Sequence, residues 1–571
     1  MPTELDWWRT AVIYQIYPRS FADSNGDGVG DLPGITARLD ALAELGVDAI
    51  WLSPFFTSPQ HDAGYDVADY TDVDPLFGTL ADFDALRDRA HGLGLKVMID
   101  LVPNHSSSAH PWFQAALAAA PGSPERARYL FRDGLGIDGD VPPNNWRSVF
   151  GGPAWTRVTE PDGTPGQWYL HIFDTSQPDF DWTNEEVREF FRGVLRFWLG
   201  RGVDGFRVDV AHGLAKQPGL PDWTPDPDAG MADHQENAPY WGQPAVHEIY
   251  RDWHRVLEEF GTDRILAGEA WIAPLTRLAN WVRPDEMQQT FNFTFLETPW
   301  QAAPLRKVVA DSLAAFGGVG APSTWVLSNH DVIRHATRLG LDPLPPQGQG
   351  VGPKTPSHPD DVVGLRRARA FTAFMLGLPG SAYLFQGEEL GLPEVIDLPD
   401  GARQDPTFFR TGGDSYGRDG CRVPIPWTAG VPSVGFGPGS SPSPEAVGGE
   451  ESHAHPTGAS WLPQPSTWPD YARDSQRGIP GSTLEFYRAA LAARREHRLA
   501  SNELVWQPAA IDAEAPADGD ADVLVYRSGA VTVLANTGSV PVARPAGRVV
   551  LASGPISDDT VPGDTTVWLV G

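Results

Sequence analysis

Eight short apolar runs, most of them separated by stretches of helical character, constrain this chain more than any other feature. In order they are AVIYQIY, VDAIWL, LKVMIDL, GVDGFRVDV, RILAGEAW, TFNFTF, STWVLSN and SAYLFQG. Between the first two, GITARLDALAELG places Ile35, Leu39, Leu42 and Leu45 at the three- and four-residue spacing of one helix face and ends on Gly46, a residue suited to a left-handed helix terminus. Strands alternating with helices predict parallel βαβ units, and eight of them predict a closed (β/α)8 barrel; the apolar runs alone would also suit a doubly wound sheet.

Two interruptions break the rhythm. From Pro103 to Pro178 the chain is rich in Gly, Pro and Trp and poor in periodicity, which predicts a loop-borne subdomain rather than a connection. From Thr428 to Ser466 it is dense in Gly, Pro and Ser and reads as a long surface loop. Beyond Leu504, segments such as DVLVYRS and AVTVLANTG predict a small all-β domain. The expected division is therefore a barrel from residues 1–102 and 179–503, an inserted domain at 103–178, and a C-terminal β-sandwich at 504–571.

Charge narrows the partners. With 74 Asp+Glu against 43 Lys+Arg the net charge is −31, which repels phosphate backbones and anionic lipid and argues for a neutral or cationic ligand rather than nucleic acid. Cys421 is the only cysteine, so no intrachain disulfide framework exists. MPTELDWWRT has neither a basic nor an apolar leader segment, and no run approaches the ~20 apolar residues of a membrane span. A cytoplasmic protein without a membrane partner is expected.

In such a barrel the active site forms at the C-terminal ends of the strands, so polar residues there carry the functional information. Four runs end in or just before carboxylates: Asp100, Asp209, Glu269 and Asp331. In GFRVDV the two-residue period puts Arg207 and Asp209 on one face, where a guanidinium can hold a carboxylate ionised and oriented. Two or three converging carboxylates suit glycosidic bond cleavage, one attacking the anomeric carbon and another protonating the leaving oxygen. A carboxylate cluster binding Mg²⁺ for phosphoryl transfer would normally bring a Gly-rich phosphate loop or a Lys/Arg clamp, and neither is apparent.

The segments DLVPNH (100–105), GFRVD (205–209), GEAW (268–271) and SNHD (328–331) resemble, in order and strand placement, the four conserved regions of the α-amylase family of glycoside hydrolases. The opening WWRTAVIYQIYPRSFADSNGDGVGDLPGI and QPDFD (177–181) further resemble the oligo-1,6-glucosidase and α-glucosidase branch, whose version of the latter usually reads QPDLN. The resemblance implies a retaining α-glucosidase acting on short oligosaccharides or glucosides, with Asp209 as nucleophile, Glu269 as general acid/base, Asp331 as transition-state stabiliser and Arg207 bonded to Asp209. It implies that Asp100 supports the cluster and that His105 and His330 contact sugar hydroxyls. Asp62 and Tyr65, in HDAGYD, match residues that bind the non-reducing glucose; Arg418, in GRDGCRVP, matches the arginine that pairs with that aspartate. The inserted segment corresponds to the family's B domain, where Phe150 and Phe173 match aromatic walls of the sugar pocket. Val210 stands where isomaltase-like members carry Val and maltase-like members Thr or Ala, which implies activity on α-1,6 linkages.

A separate motif runs from Asp23 to Asp31. Oxygens of Asp23, Asn25, Asp27, Val29 and Asp31 alternate along a glycine-rich loop, a pattern suited to a hard cation. It begins like an EF-hand loop, but the twelfth position is Gly34 and no helix pair flanks it. Structural Ca²⁺ is expected, as in relatives, with Mg²⁺ as the substitute. The resemblance leaves a rival, a transglucosylase or a trehalose- or isomaltulose-forming isomerase of the same family. No arginine-rich loop of the isomaltulose-synthase kind follows strand six, which favours hydrolysis. Non-catalytic relatives that serve as transporter subunits carry a membrane helix and lose catalytic acids, unlike this chain.

Overall fold

A computed structural model describes residues 4–224, 238–344, 348–438, 460–508 and 522–571. The eight expected strands form one parallel sheet: β1 Val12–Ile16, β2 Ala49–Leu52, β3 Lys96–Leu101, β4 Gly205–Val208, β5 Ile265–Gly268, β6 Gln289–Thr290, β7 Thr324–Val326 and β8 Ser381–Phe385. Their order is β6-β5-β4-β3-β2-β1-β8-β7, a nearly closed barrel whose seam falls between β6 and β7. The helix between β1 and β2 spans Leu32–Leu45, buries Ile35, Leu39, Leu42 and Leu45, and ends on left-handed Gly46 as its sequence predicts.

Alternation along the strands creates two cores. Ile13, Trp51, Met98, Ile265, Ala267, Val326 and Tyr383 face one another inside the barrel. Tyr14, Ile50, Leu52, Val97, Ile99, Phe206, Leu266 and Trp325 face the surrounding helices. The inward face changes character toward the C-terminal ends, where Met98 is succeeded by Asp100, Gly205 by Arg207 and Asp209, and Ala267 by Glu269. Gly205 is required low in the barrel, because a Cβ there would lie 2.6 Å from Ile265 Cγ1 and 2.8 Å from its carbonyl oxygen.

The sixth strand differs from expectation. Only Gln289–Thr290 pairs, and the apolar run TFNFTF turns instead into a short helix, Phe293–Glu297, because Asn292 accepts from Phe295 N and caps it.

Between β3 and β4 lies a three-stranded antiparallel sheet, Phe131–Arg132, Pro165–Leu170 and Trp155–Thr159 in spatial order. Its base is pinched shut where His105 bridges Asp179 and Phe180 N donates to Asn104 O. After the barrel, strands Leu504–Trp506, Val523–Ser528, Val531–Asn536, Thr565–Val570 and Arg548–Ala552 form an antiparallel sheet, with Val542–Ala543 and Thr560–Val561 in a separate pair. Tyr526 Oη and Trp568 Nε1 donate to Phe374 O and Ala373 O of helix Asp361–Gly377, fastening this sheet to the barrel. Of the Gly/Pro/Ser stretch, residues 439–459 lie outside the described residues. Its described flanks are exposed in part, at residues 430–432 and Pro438, and buried in part: Phe436, Trp461 and Leu462 are buried, and Trp461 Nε1 donates to Ser20 Oγ. Among the described residues no helix is long and apolar enough to cross a membrane.

Candidate active site

The strand ends open into a cavity of about 500 Å³. Asp62, Tyr65, His105, Phe150, Phe173, Asp209, Val210, Glu269, Asp331 and Arg418 all line it, although they come from segments far apart in the chain. Asp100, Arg207 and His330 stand behind its wall, buried almost completely.

Strand register builds the floor. β3 and β4 pair so that Asp100 lies beside Arg207, and β4 and β5 pair Arg207 with Ala267, two residues before Glu269. Arg207 Nη1 then donates to Asp100 Oδ1 at 2.9 Å and to Asp209 Oδ1 at 2.7 Å, while Nη2 lies 2.8 Å from Glu269 Oε2. The remaining donors are neutral. Trp51 Nε1 and Tyr65 Oη donate to Asp100 Oδ2, Trp271 Nε1 to Glu269 Oε1, and the amide of Val210 to Glu269 Oε2 at 3.0 Å. That amide is aimed by an unusual backbone: Val210 has φ 45°, a left-handed conformation costly for a β-branched residue.

Three carboxylates thus share one buried guanidinium. Burial pushes Asp100 up to about 7 against the pull of Arg207, with Glu269 adding to the rise. Burial likewise raises Asp209, opposed by Arg207 and reinforced by Glu269, Asp100 and Asp331.

Asp331 has different company. Burial acts to raise it but is outweighed, and its carboxyl is held below the usual range by charges around it. His330, whose Nε2 is 3.1 Å away, is itself kept neutral by burial, so the two guanidinia carry the effect. Arg418 Nη1 and Arg422 Nη2 lie 3.1 and 2.9 Å from Asp331 Oδ1. His330 also stacks on Tyr65, rings 5.3 Å apart and 5° from parallel, and bonds to its hydroxyl and to Gln15 Nε2.

At the far side Arg418 Nη2 pairs with Asp62 Oδ1 at 2.8 Å and Gln177 Nε2 donates to Asp62 Oδ2, so the expected Asp62–Arg418 pair is formed. Burial nonetheless pushes Asp62 up to about 6, against Arg418 and Arg422. Phe150 lies under the Arg418 guanidinium, and Phe173 packs against both Phe150 and His105. Burial holds His105 neutral, down to about 4.

Several contributors had no sequence expectation. Arg422 follows Arg418 by four residues on one helical turn, a spacing that could have flagged it. Asp405, which accepts from Arg418 Nε at 2.6 Å, carried no local signal. Trp271, stacked on Phe293 with centroids 3.9 Å apart, closes GEAW and was hidden only by being read as strand. Among the described residues, the charged side chains lining the cavity are Asp62, Asp209, Glu269, Glu297, Asp331 and Arg418.

The profile of the α-amylase catalytic domain matches residues 15–502. The chain belongs to the α-amylase family of glycoside hydrolases. It is 39% identical over 519 residues to the probable α-glucosidase of Rhizobium meliloti (strain 1021), spanning 87% of this chain and 84% of that protein. It is 33% identical to the oligo-1,6-glucosidase of Parageobacillus thermoglucosidasius over 86% of this chain and 84% of that one. Among solved structures, the α-glucosyl transfer enzyme XgtA superposes with a TM-score of 0.81 at 36% identity, covering 99% of both chains.

No residue of the Asp23–Asp31 loop lines the cavity. Asp23 Oδ1 accepts from Asn25 N and Gly26 N and its Oδ2 from Gly28 N, while Asp27 Oδ1 accepts from Val29 N. Asp31 caps helix Leu32–Leu45 by accepting from Gly34 N. Burial raises Asp23 and Asp31, and the neighbouring Asp27 charge raises both further. The donor set is all oxygen, although among the described residues no three His, Cys, Asp or Glu side chains converge closely enough to hold an ion.

The raised Asp100 makes stability depend on pH. Its carboxyl ionises near 3.8 when unfolded and near 7 when folded, so between these values the folded state binds the extra proton and stability falls as pH rises. Asp100→Asn removes that proton exchange. Chemical denaturation from pH 4.5 to 7 should show a shallower decline for the variant than for wild type; equal slopes would place the bound proton elsewhere.

Proposed function

We propose that this glycoside hydrolase is a retaining α-glucosidase that removes terminal α-linked glucose from short oligosaccharides or glucosides through a covalent glucosyl-enzyme intermediate. The observation that carries the reading is the bridging of Asp209 and Glu269 by the two terminal nitrogens of Arg207. One guanidinium holds the two carboxyls on the same side of the cavity floor, an arrangement in accord with the ~5 Å spacing of retaining enzymes.

In this reading the ring sits over Tyr65, its far hydroxyls on Asp62, Arg418 and His105. Asp209 attacks the anomeric carbon while the Glu269 proton passes to the leaving oxygen; water then attacks as Glu269 takes its proton back. Asp331, ionised by its two arginines, offsets the positive charge that develops on the ring. His330 supports this set from behind by fixing Tyr65 and Asp331. Transfer of glucose to another hydroxyl is a second reading. It is favoured by the likeness to XgtA and by the apolar wall beside Glu269, where Val210, Trp241, Trp271, Ile272 and Phe293 disfavour ordered water.

A mechanism-based fluorinated glucoside should label Asp209, Asp209→Asn should lose activity by several orders of magnitude while folding normally, and the first glucose released should be the α anomer. Label at another residue, or β-glucose, would overturn the mechanism. Accumulation of disaccharide isomers at high sugar concentration would favour transfer.

We further propose that Val210 tunes linkage. Its branched side chain stands beside the leaving sugar and offers no hydroxyl, a difference usually worth ~1 to 3 kcal/mol. Wild type should cleave both isomaltose and maltose, and Val210→Thr should move the kcat/KM ratio toward maltose; an unmoved ratio assigns linkage choice to other parts of the wall.

The Asp23–Asp31 loop we propose as a structural cation site for Ca²⁺, with Mg²⁺ able to substitute. The alternation of oxygen donors Asp23, Asn25, Asp27, Val29 and Asp31 along one glycine-rich loop supports it. Chelation should lower Tm and Asp27→Ala should abolish that response, with little change in activity at low temperature. A melting curve indifferent to chelator, with no metal found by elemental analysis, removes the site.

A further inference from the structure

Two lips face each other across the cavity mouth. One belongs to the segment inserted between β3 and β4, where Phe150, Gly151 and Phe173 reach the cavity. The other follows β8, where Thr407, Thr411 and Ser415 reach it. They are separated by more than 230 positions in sequence, and the side chain of Arg410 spans them. Arg410 Nε and Nη2 both donate to Gly151 O, and Nη1 lies 3.0 Å from Asp174 Oδ2.

Each end of this crosspiece is anchored. Gly151 and Gly152 both have left-handed φ, 98° and 79°, which turn the carbonyl of Gly151 outward to the guanidinium. A Cβ on Gly152 would lie 3.3 Å from Arg410 Nη2, so the approach is close. Ser148 Oγ donates to Phe173 O and accepts from Phe150 N, which ties the two aromatic walls to the same turn. On the opposite lip, Arg410 ends a short helix, Pro406–Arg410, capped by Asp405. The other oxygen of Asp405 holds Arg418, and Arg418 holds Asp62 and Asp331. The short helix Pro406–Arg410 therefore carries polar contacts at both ends, Arg410 to the inserted segment and Asp405 to Arg418 and through it to Asp62 and Asp331.

We infer that Arg410 is a specificity-determining latch: by fastening the two lips it keeps the cavity a closed-ended pocket, so that only a chain end enters. The inference rests on the α-glucosidase reading above. Charge-assisted bonds of this kind hold a bulky extended chain out only while they are made, and the Lys that conserves charge cannot reproduce a fork on one carbonyl. Arg410 touches no reacting atom, and its effect is on which substrates fit and how firmly they are held.

Arg410→Ala should raise KM for a disaccharide on the order of tenfold with a smaller change in kcat, and should shift the kcat/KM ratio toward a longer homologue of the same linkage. Arg410→Lys should recover part of the KM through Asp174 without restoring the full ratio. Hydrogen exchange, read without substrate, should quicken in both 148–152 and 406–415 in the Ala variant. An unchanged chain-length ratio, or exchange altered in the 406–415 lip alone, overturns the latch. Because exchange needs no turnover, a wild-type protein that hydrolysed no α-glucoside would refute the glucosidase reading while the exchange result still decided whether Arg410 joins the lips.

Discussion

The guanidinium of Arg207 is the interaction on which the site depends. It is buried beneath the cavity and answers three carboxylates, Asp100, Asp209 and Glu269, with one positive charge. Removing ions from water is costly unless they are paired and bonded, and here pairing is incomplete. The surrounding residues compensate with neutral donors, the indoles of Trp51 and Trp271, the hydroxyl of Tyr65 and the amide of Val210, and by binding protons. Burial under this shortage of positive charge raises Asp100 and Asp209 against the pull of Arg207. Asp331, supplied with two guanidinia, holds no proton. The charge states of Asp100 and Asp331 thus follow the balance of burial against nearby guanidinia rather than the type of acid.

Much of this was legible in the sequence, for identifiable reasons. Parallel strands buried on both faces appear as apolar runs, and the two-residue period carries Arg207 and Asp209 onto the inward face without knowledge of the fold. The four strand-end carboxylates converge because the barrel brings all its C-terminal ends to one rim. What escaped was set by contacts distant in sequence. Asp405 reaches the cavity through Arg418, and Gln177 through Asp62 and His105. The sixth run departs from strand because apolar content does not distinguish a strand from a buried helical turn; the local signal is Asn292, whose side chain caps the helix. Asp31, read as a metal ligand, has a second local use as a helix cap. Short acidic residues serve both ends equally well, and sequence pattern alone does not rank them.

The inserted segment shows how a barrel with an open rim acquires a bounded substrate space. Its base is fixed by the His105–Asp179 bridge beside β3, and its aromatic tips reach the opposite lip. Cavity-lining residues such as His105 and Phe173 are therefore held by the insertion, whereas Asp209 and Glu269 are held by the sheet. Chemistry and substrate shape are carried by separable parts of the chain, and changes in the insertion can alter what is bound while leaving the carboxylates in register.

The cavity wall has one further consequence. Among the described residues its lining carries five carboxylates and a single guanidinium, Arg418, and that guanidinium is already engaged by three aspartates. A phosphorylated sugar brought to within ~5 Å of one such carboxylate meets a repulsion of about 3 kcal/mol per charge pair at the dielectric of a protein surface. A sugar mimic bearing an ammonium group in place of the ring oxygen meets an attraction of the same size. The cavity therefore sorts ligands by sign as well as by shape, disfavouring anionic groups and favouring cationic ones.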